Sequence, residues 1–201
     1  MHPEVNHEGP GHCPKCGMNL VPEGTVKAHT VLPEKGLGML TWQSYMPLIV
    51  IFALLLAATA VLSWKDYAAG IFSLISTLSY FMTGFFLAFA GFKLIDLKGF
   101  AEGYSTYDLL AQRWFGYGYI YPFIELGFGL VMLLGLHTPA LLWTEALVMT
   151  FSGLGVAIKL ARGEEFMCAC LGTFLKVPLT YVTLIEDFGM AILALALLLL
   201  I

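Results

Sequence analysis

Charge is what this sequence has least of. Only 12% of its 201 residues are Asp, Glu, Lys or Arg, about half the share in an ordinary soluble domain. A shell that poor in charge excludes a free-standing globular protein in water. Basic residues number 10 against 14 acidic ones, for a net charge of −4. With no basic face, nucleic acid is excluded as a partner. Cysteine is scarce too: the 4 present fall in two tight pairs, Cys13/Cys16 and Cys168/Cys170. Pairs so close suit metal or redox chemistry, not a framework that staples distant segments. Neither a Gly-rich phosphate loop nor a Gly-x-Ser-x-Gly elbow occurs, so nothing points to a nucleotide enzyme or a serine hydrolase; enzyme status stays open. The polar opening stretch lacks the apolar core of a cleavable signal peptide, and the first apolar run is expected to serve as an uncleaved anchor.

What fills the place of charge is apolar surface: 59% of the chain is hydrophobic and mean hydropathy is +0.81. Five runs are long and apolar enough to span a bilayer: Met46–Ser63, Ile71–Leu97, Tyr117–Leu136, Pro139–Ala161 and Pro178–Ile201. A spanning helix needs about 20 residues, and lipid demands that backbone polar groups be satisfied within each span. The expected fold is therefore all-α and integral to the membrane, with about five transmembrane helices and the lipid bilayer as first partner. Gly84, Gly91, Gly127, Gly129, Gly153 and Gly155 lie within these spans, where small residues let backbones approach.

Connector charge predicts the orientation. Alternating five spans puts Lys15, Lys27, Lys35, Lys93, Lys98, Arg113, Lys159, Arg162 and Lys176 on one side and Lys65 alone on the other. The N-terminus is then cytoplasmic and the C-terminus outside, in a bacterial inner membrane. Between the second and third spans, Tyr104–Trp114 is expected to form a short helix at the headgroup level, where Tyr and Trp settle.

Residues 1–22 concentrate the metal-ligating side chains: His2, His7, His12, Cys13, Cys16 and Met18. Cys13-x-x-Cys16 aims two thiolates at one ion, and Gly17 lets the chain turn away. Two thiolates with imidazole suit zinc; thiolate with thioether favours Cu(I). Met1-His2-Pro3-Glu4-Val5, Gly9-Pro10-Gly11, Cys13-Pro-Lys-Cys16-Gly17-Met18 and Leu20-Val21-Pro22 resemble the short heavy-metal-binding domain at the N-terminus of some copper-transporting P-type ATPases. That resemblance implies a heavy-metal ion, Cu(I) or Zn2+, held by Cys13, Cys16 and His2, with His12, His7 and Met18 following. A purely structural zinc knuckle is the plainer alternative. Residues 23–45 read as a linker, 46–63 as the anchor helix.

The rest, 71–201, is expected to be a four-helix membrane domain. Gly91-Phe-Lys93-Leu-Ile-Asp96, Tyr121-Pro-Phe-Ile-Glu125-Leu-Gly127, Cys168-Ala-Cys170-Leu-Gly172-Thr173 and Ile185-Glu186-Asp187 resemble the MauE/DoxX superfamily, and most the redox-associated MauE-like branch. That resemblance implies redox or disulfide chemistry. Thiols one residue apart can close a strained, easily reduced disulfide or hold Cu(I); two inert cysteines are the alternative. Glu125 and Asp187 each sit some 12 Å into a span that starts from the cytoplasmic side. Buried charge in lipid must be paired, so a Lys93–Glu125–Asp187 cluster is expected beneath Cys168 and Cys170, either fixing helix register or relaying protons or ions. Glu145 is expected to reach the outer interface.

Three functions follow. The chain exchanges electrons through Cys168/Cys170 with a partner thiol or quinone. Or it captures a soft or borderline metal ion at the N-terminal segment and hands it to that pair. Or it is a scaffold or accessory subunit of a metal-efflux or respiratory complex. Five helices are few for a lone transporter, which favours a homo-oligomer or a metal-efflux or thiol-redox partner.

Overall fold

The computed structural model describes residues 46–162 and 182–201. These residues belong to one compact unit, and all regular structure among them is helical. The order is α1 (Met46–Ala68), α2 (Leu74–Ile95), α3 (Leu97–Tyr104), α4 (Gly116–Leu133), α5 (Pro139–Ala161) and α6 (Val182–Leu200). By length and apolar composition α1, α2, α5 and Thr183–Leu200 of α6 can each cross a membrane. α4, whose 18 residues include Tyr117, Tyr119, Tyr121 and Glu125, is not among these. It nonetheless lies along α2: Lys93 meets Glu125, and a Cβ on Gly129 would touch Leu87. Those two contacts make the pair antiparallel.

α2 is the central rod, packing against α1, α3, α4 and α6, while α5 and α6 form the most extensive helix pair. α1 runs five residues beyond the expected Ser63. Polar side chains at this end of α1 are satisfied by α2: Tyr80 donates to Asp66 (2.7 Å) and Ser63 to Thr77 (3.0 Å). Gly70, at φ 72°, then reverses the chain. Few residues of α1 are buried, and its Val50, Leu54, Val61 and Trp64 are exposed, the surface lipid would cover.

The short connecting helix differs from expectation. It spans Leu97–Tyr104, begins where the Asp96 side chain accepts from the Gly99 N–H, and is followed by turns through residues 105–114. Nor does it float at the interface: Phe100, Tyr104, Tyr107 and Asp108 are all buried. α3 ends at Tyr104, and Asp108 Oδ1 then accepts from the N–H groups of Leu110 and Ala111, capping the start of the next turn.

Glycine makes that insertion possible. A Cβ on Gly155 would stand 2.7 Å from the Tyr107 carbonyl oxygen, and one on Gly153 3.0 Å from the Phe188 ring. Gly91 and Gly127, expected to serve the same purpose, border open space. Gly155→Ala is therefore expected to destabilise by about 1–3 kcal/mol through overpacking. Gly127→Ala should be neutral or stabilising by up to about 1 kcal/mol. Thermal unfolding of both variants in detergent micelles checks the contrast.

Candidate functional site

At the end of the bundle that carries α3, five elements bring polar groups together. Lys93, in the last turn of α2, reaches across to Glu125 on α4, with Nζ 2.5 Å from Oε1 and 2.6 Å from Oε2. Lys93 is 2% exposed and Glu125 1%, so the pair is bidentate and dry. Its ammonium also lies over the rings of Tyr121 (5.1 Å) and Phe100 (5.5 Å). Such contacts stabilise a desolvated cation.

Asp187 of α6 is buried beside this pair, within electrostatic reach of Lys93, Glu125 and Asp108 and close to the Ser152 hydroxyl of α5. Its Oδ2 accepts no hydrogen bond from the described residues. The structure thus gathers Lys93, Glu125 and Asp187 into one cluster. Among the described residues Lys93 is the one buried cation, and buried Glu186 adjoins Asp187 in sequence. Among the described residues, then, carboxylates outnumber the buried ammonium at this end of the bundle.

Tyrosines and Asp108 complete it. The Tyr104 hydroxyl donates to Asp108 Oδ2 (3.0 Å) and stands 3.2 Å from Ser152 Oγ. Its ring stacks on Phe100 at 5.0 Å and on Tyr121 at 4.6 Å. Burial drives the Tyr104 phenol well above 10.0, and the Asp108 charge adds to this. Burial also raises the Asp108 carboxyl from 3.8, while the Ala111 N–H, Tyr104 hydroxyl and Leu110 N–H oppose the shift.

Tyr104, Tyr121, Ser152 and Asp108 were not expected at the site. A signal for two of them existed in the i, i+4 spacing of Tyr104 and Asp108, which suits side chains sharing one face. Ser152 is visible only once Leu142, Glu145, Met149, Ser152 and Val156 are seen as the buried stripe of α5. That stripe also corrects Glu145: it does not reach an interface but is 0% exposed. Neither of its oxygens has a hydrogen-bond partner among the described residues. The sulfur and imidazole candidates Cys168, Cys170, Cys13, Cys16, His2, His7, His12 and Met18 lie outside the described residues. Within those residues no group of three or more His, Cys, Asp or Glu side chains converges as a metal site.

Apolar helices around a buried, charged aromatic cluster define an integral membrane protein. The chain belongs to the MauE family: the family described as methylamine utilisation protein MauE matches residues 71–200. A second family, the heavy metal binding domain, matches residues 1–23. A copper-exporting P-type ATPase of Legionella pneumophila subsp. pneumophila is 53% identical over 34 residues, which are 17% of this chain and 5% of that protein. The chain therefore spans only about a twentieth of that relative's length. No solved structure matches. Joined to a MauE membrane domain, a heavy-metal-binding domain gives the protein a membrane role associated with metal or redox chemistry.

The pairing yields a stability test. Lys93→Met leaves Glu125 as an uncompensated buried charge and is expected to cost about 3–5 kcal/mol, most of which Lys93→Met with Glu125→Leu recovers. Denaturant unfolding in mixed micelles measures both. Asp108 gives a pH dependence. Because its folded carboxyl titrates above 3.8, its stabilising contribution is complete below that value and lost as pH rises through the folded pKa. Asp108→Asn is expected to remove that loss, which unfolding midpoints across a pH series would reveal.

Proposed function

We propose that this protein is a metal-handling carrier of the bacterial inner membrane. Cys13, Cys16 and His2, with His12 and Met18 in support, capture a soft or borderline ion, Cu(I) or Zn2+, on the cytoplasmic side. Cys168 and Cys170 then receive it. The donor set fits such an ion: two thiols, imidazoles and a thioether lie within one short stretch, and soft ligands select Cu(I) or zinc over hard cations. A donor carried on the same chain as its acceptor raises the local concentration there.

The observation that carries this reading is the buried cluster of Lys93, Glu125 and Asp187. Residues 163–181, which include Cys168 and Cys170, join α5 to α6, and Asp187 is in the second turn of α6. Handoff is ligand exchange without electron transfer. Each acceptor thiol that binds the ion loses its S–H proton, and each donor thiolate that releases it regains one. Asp187, with Oδ2 unbonded among the described residues, supplies a carboxylate to hold the proton in transit. Lys93 holds Glu125 in register.

Thiol-disulfide exchange at Cys168/Cys170 is the second reading. What favours it is membership of the MauE family together with the one-residue spacing, which strains a disulfide. Alkylation of the full-length protein separates the two. Under handoff, metal loading shields Cys168 and Cys170 as well as Cys13 and Cys16, and a chelator reverses this. A chelator without effect, alongside a reductant that exposes only Cys168 and Cys170, would decide for redox exchange. Labelling that put Cys13 and Cys170 on opposite sides of the membrane would exclude handoff.

A further inference from the structure

Asp187 is buried, yet a chain of hydroxyl groups leads away from it. α5 lies against α6 at this level: a Cβ on Gly153 would stand 3.2 Å from the Asp187 Cβ. The neighbouring Ser152 hydroxyl hydrogen-bonds to the Asp187 carboxyl. Ser152 Oγ is in turn 3.2 Å from the Tyr104 hydroxyl, which donates to Asp108 Oδ2 at 3.0 Å. None of these four residues is more than 3% exposed, so bulk water does not bathe the links between the two carboxyls. Each hydroxyl can accept one proton while donating its own.

The two ends of this chain differ in what holds them. Ser152 also hydrogen-bonds to Tyr121, and Tyr121 to Glu125, but that branch is closed because Lys93 occupies both Glu125 oxygens. Asp187 is the open end, since its Oδ2 accepts nothing from the described residues. The groups around it are Lys93, Glu125 and Asp108, together with Tyr104, Tyr117 and Tyr121. At the other end Asp108 lies one layer beneath water: its chain neighbours Thr106, Leu110 and Gln112 are exposed. The N–H groups of Leu110 and Ala111 fix its Oδ1, which leaves Oδ2 to Tyr104.

We infer that Ser152 and Tyr104 form a proton path joining Asp187, inside the bundle, to Asp108 at its connector end. The path rests on the metal-handling reading for its use: it is the route by which the carboxylate that holds a proton in transit exchanges it with water. Outward, a protonated Asp187 gives its proton to Ser152 Oγ while Ser152 passes its own to the Tyr104 oxygen. Tyr104, already donating to Asp108, passes its own proton to Oδ2. Each O–H bond broken is matched by one formed, the negative charge moves from Asp108 to Asp187, and nothing is oxidised or reduced. Rotation of the two hydroxyl hydrogens resets the path, and the reverse sequence brings a proton in.

Infrared spectra of metal-free, full-length protein in detergent, followed in time after a pH jump, test the path. Asp187→Asn identifies the Asp187 carboxyl band by removing it. Tyr104→Phe and Ser152→Ala, which keep the ring and nearly the volume, are each expected to slow the rise and decay of that band about tenfold or more. Ser152→Thr, which retains a hydroxyl, and Tyr119→Phe, outside the chain of contacts, should leave the rate close to that of the wild type. Thermal midpoints matched to the wild type show that the variants fold, and a purely structural role for the hydroxyls would move those midpoints without slowing the band. A rate that ignores both Tyr104→Phe and Ser152→Ala overturns the path. So does the lack of any Asp187 band across the pH range in which the protein stays folded. Both results leave the metal-handling reading standing, because alkylation of metal-loaded protein decides that separately.

Discussion

The arrangement of one end of this bundle follows from a single ion pair kept away from water. Lys93 and Glu125 face each other at 2.5 and 2.6 Å in surroundings where either charge alone would be expensive. Once they are paired, everything nearby must keep water out and supply compensating polarity. Phe100 and Tyr121 lay ring faces against the ammonium. Tyr104 stacks on both. α3 is positioned by this requirement as much as by its own helix propensity: its eight residues include two glycines and would not hold a helix in isolation.

The segment after α3 transmits the same constraint to α5. Asp108 caps the start of the next turn by accepting two backbone N–H groups and anchors Tyr104 through its other oxygen. Tyr104 in turn stands beside Ser152, and the Tyr107 carbonyl occupies the space that a side chain at Gly155 would need. Two helices and a connector are thus tied by a few polar contacts whose cost of disruption is high in a buried setting. Packing alone would tolerate rearrangement of these aromatic rings; the polar contacts select one arrangement.

How much of this could be read in advance depended on which physical signal each residue carried. Four of the five expected spans were legible because lipid imposes a length and an apolarity that few other environments do, and α5 begins and ends where Pro139 and Ala161 suggested. Lys93, Glu125 and Asp187 stood out because charges inside apolar runs require partners. Tyr104 and Asp108 misled, since amphipathic aromatics in a polar connector have the composition of a headgroup-level helix, and burial of that connector depends on Gly155, far away in sequence. Glu145 misled for a related reason. Nearness to a helix end suggests exposure, but its placement on the stripe with Met149 and Ser152 puts it in the core, and helical phase outweighs axial position here. In the two cysteine-bearing segments only motif and spacing speak, and there the family matches extend the argument beyond the described helices.

Charge balance connects the two buried regions. Around Lys93 the carboxylates outnumber the cation, and at Glu145 a carboxylate stands with no described cation at all. A protein assembled only for stability gains little from this, because apolar residues of similar volume pack as well without the desolvation cost. Carboxylates kept short of positive charge in a membrane core instead favour whatever mobile cation reaches them, provided the complex formed is neutral.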